Sequence, residues 1–127
     1  MVVSKAIGQY HQVGVETALT NASPHRLIQM LYEGLLSNLS SLRGALINKQ
    51  YEQVAIHIKK SSNILVGLEE GLDFEKGGEI AINLRNLYDY IHRELIGVQI
   101  SSDNERLERL ICLVVDLKTA WDEIELK

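Results

Sequence analysis

Residues 77–100 read GGEIAINLRNLYDYIHRELIGVQI, a double glycine followed by a long run without proline whose length only a helix accounts for. Ile80, Leu84, Leu87, Ile91, Leu95 and Val98 recur every three to four residues, which sets them along one side of that helix as a buried seam. Ile82, Tyr88, Tyr90, Ile96 and Ile100 fall outside the seam, so the helix is apolar over more than one face. A second surface therefore needs cover.

Outward from this stretch the same pattern repeats. Before it, Tyr51 opens a helix in which Val54, Ala55, Ile58, Ser62, Leu65, Leu68 and Leu72 keep the seam period, with Ile56, Ile64 and Val66 off it. Asn48–Gln50 is a connection short enough to make the preceding helix an antiparallel neighbour. That helix starts at Ser23-Pro24, a capping hydroxyl followed by a residue with no N–H to lose, and carries Leu27, Ile28, Met30, Leu31, Leu35, Leu36, Leu39, Leu42 and Leu46. After residue 100, Ser102 to Glu105 has the spacing of a capping box. The helix it opens bears Leu107, Leu110, Ile111, Val114, Leu117, Trp121 and Ile124, with Leu113, Val115 and Ala120 beyond that stripe. Four helices of matched length with short links predict an all-α antiparallel four-helix bundle over residues 23–127. Residues 1–22, with apolar groups scattered among Gly8, Gly14, Thr17, Thr20 and Asn21, read as an N-terminal arm.

Composition narrows the function. A chain of 127 residues that is 46% hydrophobic holds one domain with a substantial core. One proline and the absence of alternating runs argue against a sheet. The formal charge of -4 offers no basic stripe for phosphate backbones, so nucleic acid is not an expected partner. No stretch approaches the roughly 20 apolar residues that span a bilayer, and the first ten residues lack a continuous apolar run, so a cytoplasmic protein without membrane insertion is expected. The single cysteine, Cys112, reads as a small core or interface hydrophobe.

No catalytic constellation emerges, and neither an enzyme nor a cofactor is expected. Asp89 and His92 share a helix face at the i, i+3 spacing of metal-binding bundles, but a di-metal centre needs a second such pair and inward glutamates. Asp89 lies four residues from both Arg85 and Arg93, which favours a solvated charged face, and no metal site is assigned. His11, His25 and His57 lack partners at ligand spacing and read as surface histidines. What remains is surplus apolar surface, which suits either a bundle that associates with copies of itself or one that opens grooves to an amphipathic helix or extended peptide. The second reading makes the protein a helical binding module.

The order Tyr10, Val15-Glu16-Thr17-Ala18, Ala22-Ser23-Pro24, Leu27, Met30-Leu31-Tyr32, Gly34, Tyr51-Glu52, Gly71-Leu72-Asp73, Gly77-Gly78-Glu79-Ile80-Ala81, Asn83-Leu84, Leu87-Tyr88-Asp89-Tyr90, Arg93 and Trp121 resembles the FliS family of flagellin export chaperones over nearly the whole chain. The resemblance implies a four-helix bundle without enzymatic activity. It also implies a client, the disordered C-terminal segment of flagellin, which is kept from polymerising in the cytoplasm and handed to components of the flagellar type III export gate. The anti-sigma factor of late flagellar genes is a further implied partner. In such proteins the client wraps around the bundle and the N-terminal segment can fold back as a displaceable lid. The expected partner-binding residues are Ile7, Tyr10, Val13 and Val15 in the arm, with Leu27, Met30, Leu31, Ile64, Leu65, Leu87, Tyr88, Tyr90 and Ile91 on the bundle.

Overall fold

The computed structural model describes residues 22–124, and among them four helices and no strands. The helices are α1 (Pro24–Ile47), α2 (Tyr51–Glu70), α3 (Phe74–Ser101) and α4 (Asn104–Asp122). Three of the four starts are capped by a side chain, and α2 begins after Gln50 without one. Ser23 Oγ accepts from the Arg26 N–H at 3.1 Å, and Pro24 occupies the first turn of α1. The Asp73 carboxylate accepts from the N–H groups of Glu75 and Lys76, both at 3.0 Å, and so starts α3. The helix containing the double glycine thus begins ahead of it, at Phe74. Gly78 is a kink inside α3, with φ 50° and ψ -122°, a conformation open to glycine and strained for any residue with a Cβ. The residue capping α4 is Asp103, whose side chain accepts from the Arg106 N–H at 3.2 Å. Ser102, expected as that cap, instead ends α3 in the left-handed conformation at φ 55°.

The short links make a ring of neighbours: α1 packs on α2 and α4, and α3 packs on the same two. The pairs run antiparallel. Gln29 near the start of α1 donates to Asp122 at the end of α4 at 2.8 Å, while Arg43 near the end of α1 reaches Glu108 near the start of α4 at 2.9 Å. Leu31, Leu35, Leu39 and Leu42 of α1 meet Ile58, Ile64 and Leu68 of α2, Ile91, Leu95 and Val98 of α3, and Leu107, Leu110 and Val114 of α4 in one core. The surplus apolar groups Ile82, Tyr90, Ile96 and Ile100 are exposed on α3, as are Ile56 and Val66 on α2.

Several expectations are corrected. Ile80, placed in the seam, is 70% exposed. Tyr88 and Ile64, placed off it, are buried, and Ala55, placed in it, is exposed. Cys112 is exposed on α4 and is not a core group. His25 is half-buried and stacked on Trp121, and His57 is half-buried with Nδ1 2.9 Å from Asn38 Oδ1. His11 and all of the arm up to residue 21 lie outside the described residues, whereas Ala22 packs against the core. No described helix is long and apolar enough to cross a membrane.

Candidate binding groove

The seam between α3 and α4 opens into two clefts. One, of about 420 Å³, is lined by Leu87, Tyr90, Glu94, Arg106, Arg109, Leu110 and Leu113. The other, of about 200 Å³, is lined by Tyr32, Ile80, Leu84, Leu117, Ala120, Trp121 and Ile124. Because α3 and α4 are antiparallel, residues 80, 84, 87 and 94 pass 124, 117, 113 and 106 in turn. The clefts lie in order along α3 and α4 as an interrupted furrow, sharing no lining residue, and Tyr32 of α1 adds to the wall of the smaller. The furrow's walls are aliphatic or aromatic at every helical turn except the far end of the larger cleft, where Glu94, Arg106 and Arg109 stand. Ile80 has the helical direction of a core residue yet is left open, so the furrow exposes apolar surface that the bundle does not fill.

The walls are held in place. Trp121 donates through Nε1 to the His25 backbone carbonyl at 3.0 Å, and its ring stacks on His25 at 4.8 Å with an interplanar angle of 12°. This ties the end of α4 to the first turn of α1. At the other end Arg106 grips Glu94 with two bonds, Nε to Oε1 at 2.9 Å and Nη2 to Oε2 at 2.8 Å. The guanidinium lies over bare backbone at Gly97, where a Cβ would run into it. Hydrogen bonding from Arg106 holds the Glu94 carboxyl below the usual range, with the charges of Arg106, Arg109 and Arg93 adding to the effect.

Beneath the smaller cleft the hydroxyls of Tyr32 and Tyr88 meet at 2.7 Å across the core, joining α1 to α3. Burial raises the Tyr32 phenol, partly offset by its bond to Tyr88, and burial raises Tyr88 further with Tyr32 adding to the shift. A folded-state pKa raised above the unfolded value means stability that is intact below about pH 10 and lost above it, as only the unfolded tyrosines release protons. Urea unfolding between about pH 9 and pH 11 is expected to show stability falling by up to about 1.4 kcal/mol per pH unit for each such tyrosine. A Tyr32→Phe/Tyr88→Phe chain is expected to show a flatter profile over that range.

The expected contact residues divide sharply. Leu87 and Tyr90 line the furrow, with Tyr90 44% exposed, and Leu27 is half-buried beside the core. Met30, Leu31, Ile64, Leu65, Tyr88 and Ile91 are buried in the core and offer no open surface as the bundle stands. Ile7, Tyr10, Val13 and Val15 lie outside the described residues. Ile80, Leu113, Leu117, Trp121 and Ile124 were absent from the expected contacts, although the helical stripe of α4 already contained three of them. Asp89 and His92 are exposed on the outside of α3, and among the described residues no group of three or more His, Cys, Asp or Glu could hold a metal ion.

The family model described as Flagellar protein FliS matches residues 6–127. The chain is 41% identical to the flagellar secretion chaperone FliSB of Pseudomonas aeruginosa over 98% of both chains. It is also 41% identical to the flagellar secretion chaperone FliS of Salmonella typhimurium, over all of this chain and 95% of that one. With the flagellar secretion chaperone FliS of Bacillus subtilis the identity is 28%, over 97% of this chain and 88% of the relative.

Proposed function

The chain belongs to the FliS family, whose relatives bear the name flagellar secretion chaperone, and from that premise we propose that it binds the C-terminal segment of newly made flagellin in the cytoplasm and accompanies it to the flagellar export gate. The observation that carries this reading is the apolar furrow between α3 and α4, open at Ile80 and Tyr90. A filament subunit that must pack against copies of itself carries an amphipathic segment, and a free segment of that kind associates prematurely unless an equivalent apolar surface covers it. The furrow supplies two largely apolar clefts in series for such a segment. The role is binding without catalysis. An exchangeable complex also suits the anti-sigma factor of late flagellar genes as a second, regulatory partner.

In this reading the arm competes for the same surface, with Ile7, Tyr10, Val13 and Val15 as the covering side chains. Client binding displaces it.

The decisive experiment is calorimetric titration with a peptide of roughly forty residues from the flagellin C-terminus, with circular dichroism of the mixture. Saturable one-to-one binding with a negative heat-capacity change and added helicity is expected. An absence of heat at several temperatures, with the peptide remaining disordered, would sink the chaperone reading. Removing residues 1–14 is expected to tighten binding and leave the unfolding midpoint nearly unchanged; unaltered affinity would dismiss the lid.

A further inference from the structure

The two ends of the furrow differ in charge. Arg106 and Arg109 line the larger cleft, and Arg93 stands exposed on α3 near enough to act on Glu94. The smaller cleft has no charged residue in its lining, and exposed Glu79 and Glu123 adjoin its outer residues Ile80 and Ile124. Two of the acidic groups near the cationic end are already engaged. Glu94 is held by Arg106, Asp103 caps α4, and Glu105 is exposed outside the lining. Arg109, also exposed, is in no close ion pair among the described residues, although its charge acts on Glu94 and Glu105 stands four residues before it on α4. Arg109 thus places a cation at the mouth of an apolar cleft.

We propose that the furrow accepts an amphipathic partner helix in one direction only, with an Asp or Glu side chain of that helix paired to Arg109 beside its apolar stripe. The proposal rests on the client-binding reading of the furrow and adds the polarity of the bound segment. A partner helix fits where a second copy does not. The furrow is concave and takes projecting side chains, whereas a copy would present the same concave face and leave both sets of wells empty. Leu87, Leu113 and Leu117 supply the non-directional attraction, and Arg109 supplies the direction, since a reversed helix would bring its carboxylate toward Glu79 and Glu123.

The test uses the full chain and the same flagellin C-terminal peptide. Arg109→Glu is expected to weaken binding about 10-fold at about 50 mM salt and markedly less at about 300 mM, as screening removes the charge effect. One acidic residue of the peptide, replaced by lysine, is expected to restore binding to the Arg109→Glu chain while weakening it for the unaltered chain. Cys112, the single cysteine, is exposed three residues after Arg109, so a nitroxide attached there is expected to broaden the peptide resonances around that same acidic residue. Unchanged affinity for Arg109→Glu, with Ile80→Asp still weakening binding, would mean an occupied furrow without polarity and would overturn the proposal. If neither substitution weakened binding, the furrow itself would be the wrong site. Dependence on Arg109 that vanished only on amidating the peptide C-terminus would replace the side-chain carboxylate with the terminal one and overturn the assignment.

Discussion

Leu39→Ala is expected to destabilise the chain by about 3 kcal/mol, a large share of the roughly 5–15 kcal/mol that holds a domain of this kind together. Leu39 is fully buried on α1, the helix that packs against both α2 and α4. Removing most of its side chain forfeits the transfer of those carbons out of water and leaves a cavity that stiff helical neighbours close only in part. With a tightly tied ring of helices there is little slack to close it. The thermal midpoint should drop by about 10 °C, measured by circular dichroism at 222 nm under conditions where unfolding is reversible. A drop of only a degree or two would mean that the helices close up around the site, and the core would be far more plastic than its packing implies.

The double variant Ile80→Asp/Tyr90→Asp is expected to weaken flagellin-peptide binding by about 100-fold or more while leaving the unfolding midpoint within a few degrees of the parent. The two positions sample the two clefts, and both side chains are substantially open to solvent, so the folded bundle loses little when they become charged. On binding, each apolar side chain would contribute about 1.5–2 kcal/mol by leaving water, and each introduced carboxylate would have to be desolvated in its place. Every 1.4 kcal/mol is tenfold in affinity. Affinity unchanged in this variant, with its helical content intact, would exclude the α3–α4 furrow as the client site.

The helices and their links were legible in the sequence because each depends on local chemistry: Ser23-Pro24 starts α1, Asn48–Gln50 turns the chain, and the apolar period marks which way each helix faces. Period shows direction but not whether a neighbour is present to meet the side chain. Ile80 points along the seam, yet it lies at the open end of the furrow, just after the Gly78 kink. The reverse holds for Tyr88, which falls outside the period of the seam yet is buried, with its hydroxyl against that of Tyr32 on another helix. Such a partner, 56 residues away in the chain, leaves no local signal. The same limit separated Leu87 and Tyr90, which line the furrow, from Met30, Leu31 and Ile91, which are core: all are apolar at helical spacing, and only packing tells them apart. Gly97 is similar, since its role emerges only when the Arg106 guanidinium is seen lying over it.

The short links between helices also bear on how quickly the chain becomes competent. Contacts between α1 and α2, α2 and α3, and α3 and α4 join segments adjacent in sequence, and the main pairing that closes a long loop is that of α1 with α4. Chains dominated by such local contacts fold on microsecond to millisecond timescales, far shorter than the seconds needed to synthesise a protein. The furrow is bounded by α4, the last of the four described helices in chain order. A chain made only as far as α3 therefore lacks one wall of the furrow, which forms once α4 docks.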